Sequence, residues 1–332
     1  MTNTELTAYN FVRRGIARTR AELSKTMGIS RPTASSVVDS LIADGLLRDG
    51  GKWRSNGGRN PILLLVRPEA FSLIGVDLGL RDRVAGVLVN AAGEVVRRCE
   101  MMMSPDSPDR AAEAVSLLWE RLDPGFAASG IGLAVPGKVD AAAYHVEAAA
   151  YPCFGGDVLV RTLRRRFVGK YFYLGNRYRM AAVSERFGGA ADREDDFMLL
   201  TLDGDLRATL FINGGCFSGA HGVAGDVKKL PVPAMDGGGE TTFGEALSVR
   251  ALKSTDATPE QLATLCAYGI GRVLDILDIG LVVLGGRFLE FSADFLPLLE
   301  RRLAEFGCRV KFAAFSGFSA ARGAALRTHL WL

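Results

Sequence analysis

A chain of 332 residues, 48% of them hydrophobic and 23% charged, holds apolar material for two or three domains at roughly 100–200 residues each, which excludes disorder as the dominant state. No apolar run approaches the ~18 residues that a bilayer span needs, and Met1–Glu5 shows no basic segment leading into an apolar one, so a cytoplasmic protein without membrane contact is expected. Five scattered cysteines (Cys99, Cys153, Cys216, Cys266 and Cys308) with no Cys-x-x-Cys pair exclude a disulfide framework and a cysteine zinc site. Charge is unevenly placed. Residues 1–69 hold 11 Lys and Arg against six Asp and Glu, net +5, while the whole chain is +3, leaving the rest at −2. A small basic head therefore precedes a larger, nearly neutral body.

In the head, a first helix is expected over Thr4–Arg14. Thr19-Arg20-Ala21-Glu22 has the capping-box spacing, in which the Thr19 hydroxyl bonds the Glu22 amide and the Glu22 carboxylate reaches back. The helix it opens turns Leu23 and Met27 inward and stops at Gly28. Ser30 caps another helix, with Pro32 tolerated in its first turn. There Ala34, Val37, Val38, Leu41 and Ile42 form one apolar stripe, and Gly45 ends the helix. Arg31, Thr33, Ser35, Ser36 and Ser40 lie outside the stripe. The pair reads as a helix-turn-helix. Leu46-Leu47 and Ile62–Val66 then read as strands flanking a glycine-rich basic tip, Arg48 to Asn60: a wing. Arg54 or Arg59 supplies a cation for a negative minor groove. Ser30, Arg31, Thr33, Ser35 and Ser36 can donate to phosphates and base edges in the major groove. The competing reading is a solvated helical hairpin; the wing and the local +5 favour duplex DNA.

In the body, Ser72–Gly79, Arg83–Val89 and Glu94–Met102 read as a strand meander. The layout recurs at Phe197–Leu202, Leu206–Ile212 and the turn Asn213-Gly214-Gly215, which suggests an internal duplication. Helical patterns fall near Arg110–Leu122, Tyr178–Phe187, Thr258–Leu277, Leu289–Phe306 and Phe318–Leu330. Two sheets, each opening with a hairpin and continuing with strand–helix units, give an α/β body of two similar lobes.

Ala21-Glu22-Leu23-Ser24, Gly28-Ile29-Ser30-Arg31-Pro32-Thr33-Ala34-Ser35 and Asn56-Gly57-Gly58-Arg59-Asn60-Pro61 resemble the winged-helix heads of the ROK family of repressors, open reading frames and sugar kinases. Ile131–Asp140, Leu281–Gly286 and Arg322–Leu326 resemble that family's strand–Pro-Gly turn, adenosine-side turn and closing helix. The resemblance implies a winged helix-turn-helix over 1–69. It also implies a two-lobed actin/hexokinase-like (ribonuclease H-like) body over 70–332, with lobes at about 70–180 plus the C-terminal helix, and at 181–318.

The sugar kinases of the family place an Asn-Asp pair after the strand matching Tyr171–Leu174, the Asp acting as general base on the sugar hydroxyl. Here the pair reads Asn176-Arg177. A guanidinium stays protonated above pH ~12 and offers no acceptor lone pair, so it cannot take that proton. Glu185 stands eight residues further along the helix, about 12 Å at 1.5 Å per residue, too far to substitute. The phosphate loops also depart from the kinase pattern. Asp77-Leu78-Gly79-Leu80-Arg81 has Arg81 where a Thr is expected, and Asp203-Gly204-Asp205 has one glycine and two acids, read as a solvated turn in preference to a metal site.

The family's His/Cys zinc stretch matches a segment with Lys229 in the His position and no Cys between Cys216 and Cys266. No metal and no cofactor are expected. Positions matching the sugar ligands are Cys153, Asn176, Arg177, Asp226, Lys229 and Glu245, of which Asn176 and Glu245 keep the family's residue type. Arg177 and Lys229 beside Asp226 and Glu245 can either close the cleft with internal ion pairs or recognise an acidic ligand. The expected function is a DNA-binding repressor with a catalytically inactive body that senses a sugar or acidic sugar derivative. It would act on a double-stranded operator as a homodimer or higher homo-oligomer. The alternative is an ATP-dependent sugar kinase with an accessory head.

Overall fold

The computed structural model describes residues 1–52, 61–80, 82–147, 152–203, 205–235, 237–248, 252, 257–315 and 317–328. Local capping fixes the head. Thr2 and Glu5 form a capping box on α1 (Asn3–Arg13), and Thr19 caps α2 (Arg20–Met27) by accepting the Glu22 N–H. The Glu22 carboxylate reaches one residue further back than its spacing suggests: it takes the Arg18 N–H at 2.6 Å. Gly28 closes α2 in the left-handed region at φ 65°, where a residue without Cβ is unstrained. Ser30 then caps α3 (Arg31–Ala43), with Pro32 in its first turn.

Ala34, Val38 and Leu41 of the α3 stripe are buried, while Val37 and Ile42 at its margins are partly so. They pack on Tyr9, Val12 and Leu23, and on Leu47 and Leu64 of an antiparallel pair, β1 (Leu47–Lys52) and β2 (Ile62–Val66). The wing tip 53–60, which includes Arg54 and Arg59, lies outside the described residues, as do Arg81 and Gly204.

The first lobe comprises β3 (Ser72–Asp77), β4 (Arg83–Asn90), β5 (Val95–Met102), α4 (Pro108–Leu122), β6 (Gly130–Val135), a small hairpin of β7 (Lys138–Asp140) and β8 (His145–Glu147), α5 (Val158–Arg166) and β9 (Tyr171–Asn176). Its sheet runs β5-β4-β3-β6-β9, antiparallel through the meander and parallel beyond it. The helix α6 (Arg177–Arg186) follows. The second lobe comprises β10 (Phe197–Leu202), β11 (Leu206–Ile212), β12 (Gly215–Cys216), the pair β13 (Pro231–Pro233) and β14 (Glu240–Thr242), α7 (Phe243–Ala246), α8 (Pro259–Leu277), β15 (Leu281–Gly286), α9 (Phe295–Leu303) and β16 (Arg309–Phe312). Its sheet runs β12-β11-β10-β15-β16, the same order and the same senses. The duplication read from the two meanders therefore extends to whole sheets.

Each sheet has its own core on its outer face. Trp119 of α4, stacked 4.7 Å from Phe167, anchors the first; Phe243, Phe288 and Phe295 anchor the second. Between the sheets lies a third core containing α6 and α10 (Ser319–Leu326). Glycines set its spacing. A Cβ on Gly75 would meet the Ala321 carbonyl oxygen at 1.9 Å, and one on Gly132 the Ala324 oxygen at 2.0 Å, so α10 lies directly on β3 and β6. One predicted helix is broken: Leu289–Phe306 becomes a 3-10 turn at Arg287–Glu290, α9, and a second turn at Ala304–Phe306. Pro297 explains it, because proline fits the first turn of a helix starting at Phe295 but not the interior of one starting at Leu289.

Candidate functional site

The strand ends of the two sheets face each other across a cleft of about 820 Å³. The turn after β3, the Pro136-Gly137 turn after β6 and the first turn of α6 line it on one side. Asp203, Asp205, β11 and the segment 217–226 line the other. Asn176 caps α6: its side-chain carbonyl accepts the Tyr178 and Arg179 N–H groups at 3.1 and 3.2 Å, and its amide donates to the Gly137 oxygen at 2.7 Å. Its polar atoms are thus held by backbone on both sides of the turn.

Arg177 lies beneath this floor, buried. Its Nη2 donates to Asp77 Oδ2 at 3.0 Å and its Nε to Asp77 Oδ1 at 3.3 Å, a bidentate pair. Both Nη atoms also lie 3.3 Å from Asp203 Oδ2. Asp77 ends β3 and Asp203 follows β10, so one guanidinium clamps the matching turns of the two lobes. Burial alone would weaken its hold on the proton, but the charges and hydrogen bonds of Asp77 and the charge of Asp203 outweigh that and hold it above the ordinary arginine range. Gly79 makes room for the clamp: a Cβ there would sit 2.2 Å from Arg177 Cδ.

The acidic turn is therefore not merely solvated. Asp203 accepts from Arg177, and Asp205 pairs with Arg207 at 3.1 Å and Lys228 at 3.0 Å. Internal ion pairs do close the cleft floor, but with other partners than the sequence suggested. Arg177 pairs with Asp77 and Asp203, and Asp226 pairs with Arg207 at 3.0 Å.

Of the six candidate ligand positions, the cleft brings together Asn176 and Asp226, with Arg177 below them. The other three lie elsewhere. Cys153 packs against the first-lobe core, its Sγ donating to the Pro105 oxygen at 3.4 Å, and burial pushes its thiol up. Lys229 is exposed at the end of a 3-10 turn. Glu245 closes a capping box with Thr242 on α7, and hydrogen bonds from Thr242 and Thr241 hold its carboxyl below the usual range. Sequence reasoning missed Lys138, Tyr178, Arg179 and Arg207, which do line the cleft. The signal for Arg207 is its place in the alternation along β11; Arg179 follows Asn176 within one helical turn.

Neither a zinc ion nor a metal–nucleotide complex fits these residues. The segment 225–240 carries no cysteine or histidine, and a tetrahedral zinc site takes four N, S or O donors. The Asp77 and Asp203 oxygens that face the two turns are bonded to Arg177. Glu185, at the far end of α6, is fully buried and accepts from Ala190, Ala314 and Ser319, so it serves no proton transfer in the cleft.

On the head, Ser30, Arg31, Thr33 and Ser36 are exposed along α3 and Ser35 is half-buried. The Ser30 hydroxyl takes the Thr33 N–H as the helix cap, and Arg31 makes no ion pair among the described residues. Arg20 ties α2 to α3 and β1 through Asp39 at 2.9 Å and Asp49 at 3.3 Å, fixing the angle at which α3 is presented.

Residues 73–240 match the model described as "ROK family". The chain belongs to the ROK family. The matched span contains Asp77, Asn176, Arg177, Asp203, Arg207 and Asp226, the whole clamp and its surroundings. Among similar proteins, a xylose repressor of Caldicellulosiruptor bescii is 28% identical over 227 residues, 65% of this chain and 55% of that protein. An N-acetylglucosamine repressor of Escherichia coli O157:H7 is 23% identical over 223 residues, 65% of this chain and 54% of that one. The chain thus spans about half the length of these relatives.

Among solved structures, a ROK family transcriptional regulator described as a homolog of the E. coli MLC protein superposes with TM-score 0.73 at 16% identity, over 97% of this chain and 95% of that one. A ROK hexokinase from Thermus thermophilus does so with TM-score 0.62 at 22% identity, over 78% and 98%. These likenesses establish a two-lobed ROK body behind an N-terminal helical head. No helix among the described residues is long and apolar enough to cross a membrane.

Proposed function

We propose that this ROK protein is a DNA-binding transcriptional repressor whose body binds a sugar or acidic sugar derivative without phosphorylating it. The observation that carries the reading is Arg177. By the family resemblance it occupies the position of the sugar-kinase base, and it is bonded to both turn carboxylates. The Arg177 guanidinium offers a sugar hydroxyl no lone pair to take its proton, and the cleft is rimmed by Asn176, Arg179, Arg207 and Asp226, the last already paired with Arg207. The head supports the DNA half of the reading through the exposed first turns of α3. Repressor relatives named for xylose and N-acetylglucosamine support a sugar-derived effector. A homodimer fits this role, since paired heads read two half-sites on one face of a duplex.

The test is selection of bound sequences from random duplex DNA, followed by anisotropy titration, alongside a coupled assay for ATP-dependent sugar phosphorylation. Enrichment of one motif with no phosphorylation is expected. Turnover of ATP into a sugar phosphate, with no duplex preferred over random DNA, would overturn the reading. On the selected duplex, Arg31→Ala is expected to cost about 1–3 kcal/mol if Arg31 reads a base edge. If it contacts phosphate, the log–log salt slope falls by about 0.9. Unchanged affinity and slope would remove Arg31 from the interface.

A further inference from the structure

The chain crosses between the lobes twice among the described residues, and both crossings meet at one point. The first runs from the end of α6 through 187–196 into β10; the second runs from β16 through 313–318 into α10. Glu185 holds both. Its carboxylate accepts the Ala190 N–H at 2.9 Å on the first crossing, and the Ala314 N–H and Ser319 hydroxyl, each at 2.9 Å, on the second. The α6 backbone lies directly against α10: a Cβ on Gly323 would lie 1.7 Å from the Met180 oxygen. With α10 seated on β3 and β6, α6 moves with the first lobe.

The 187–196 crossing is also bound to the second lobe, although Asp195 near its far end pairs back to Arg186 of α6 at 2.7 Å. Arg309 of β16 pairs with Glu194 at 2.8 Å, and Lys311 donates to the Ala190 oxygen at 3.1 Å. Any change in the angle between lobes must be absorbed in the crossings, and the first already includes left-handed backbone at Gly188 (φ 85°) and Arg193 (φ 65°).

The head sits on that hinge. The Phe187 ring has the Arg14 guanidinium 5.0 Å from its centroid, Arg13 at 5.9 Å and Arg186 at 5.6 Å. Next to Arg13 and Arg14, Gly15 approaches Arg193, whose Nη2 would be 3.4 Å from a Cβ there. A second contact backs this one. The Tyr9 hydroxyl donates to the Ala91 oxygen at 2.8 Å, in the turn where Arg322 bonds Gly93 at 2.8 Å while holding Ser184 of α6 at 2.9 Å. At the opposite end of α6, about 15 Å away at 1.5 Å per residue, Arg177 clamps Asp203 of the second lobe.

We propose that the head reads cleft closure at the inter-lobe hinge: rotation of the second lobe about 187–196 shifts the seat that Phe187 and Arg193 give to the end of α1. The inference rests on the reading of the cleft as effector site and the head as DNA reader, but its test needs neither ligand nor DNA. Coupling of this kind requires an element whose arrangement both sites bias; the hinge touches the head directly and reaches the cleft through α6, whose first turn lines it.

Hydrogen–deuterium exchange on the full chain tests it, with Asp203→Asn to release the second lobe from Arg177. The expected result is exchange raised several-fold in peptides spanning 187–196 and 3–16, with 20–43 unchanged. Combining the change with Phe187→Leu, which keeps apolar bulk but removes the cation–π face, abolishes the response in 3–16. Faster exchange confined to 77–82 and 203–209 would overturn the proposal. If Asp203→Asn unfolds the second lobe, Phe187→Leu alone runs the test from the head side. Reciprocity demands altered exchange at 203–209, and a response limited to 3–16 would refute the coupling. Failure here leaves the DNA-selection result standing, so the two readings fall separately.

Discussion

Arg177→Met is expected to lower the stability of the body by about 3–5 kcal/mol, the cost of leaving a buried carboxylate without its counter-charge. Asp77 is 1% exposed, and with Arg177 gone the Gly79 N–H at 2.8 Å still donates to its carboxylate. The loss is not the net worth of the pair, because bringing both charges out of water already costs heavily. A double variant, Asp77→Asn with Arg177→Met, separates the two: it removes the stranded charge and is expected to recover more than half of the loss. Denaturant midpoints of the four proteins in the cycle give the coupling. Equal stability of Arg177→Met and the parent would mean that the clamp contributes nothing. On the proposed reading Arg177→Met gains no sugar phosphorylation, since methionine takes a proton no better than arginine.

How much of this was legible in the sequence depended on distance along the chain. Thr19, Gly28 and Ser30 announced the head because caps act within three or four residues, and the duplicated meanders announced the sheets because their spacing is local. That Arg177 cannot be a base follows from its chemistry alone. Its partners do not: Asp77 is 100 residues away, and the pairing exists because equivalent turns of two lobes face each other. Arg207 and Asp226 are 19 residues apart on the same side of the cleft, but Asp226 lies in a turn outside any strand, so no periodicity announces their pairing.

Glu245 is a different case, since a local rule accounts for it. Thr242-Phe243-Gly244-Glu245 has the spacing of a capping box, and the structure uses it as one. Glu22 shows the limit of that same rule: its carboxylate takes the N–H of Arg18 where the spacing pointed to Thr19. Local patterns thus placed the helix ends well, and the reach of individual side chains less well.

Glu185→Ala is expected to cost roughly 4 kcal/mol or more, because it strands several donors at once, each worth about 1–3 kcal/mol when buried without an acceptor. The donors are the N–H groups of Ala190 and Ala314 and the Ser319 hydroxyl, with Phe315 N–H further off at 3.5 Å. They belong to both crossings, so the loss should appear as weakened attachment between lobes ahead of melting within either sheet. Glu185→Gln keeps the shape and one carbonyl acceptor but turns an N–H₂ toward backbone N–H groups; about half the loss is expected. Ser319→Ala leaves the buried Glu185 Oε1 with the Phe315 N–H at 3.5 Å, so about 1–3 kcal/mol is expected, less than for Glu185→Ala. Calorimetry of the three variants checks the order. Glu185→Ala and Ser319→Ala of equal cost would show that the carboxylate is not what joins the crossings, and the hinge would then have to be held by the apolar core around α6 and α10 alone.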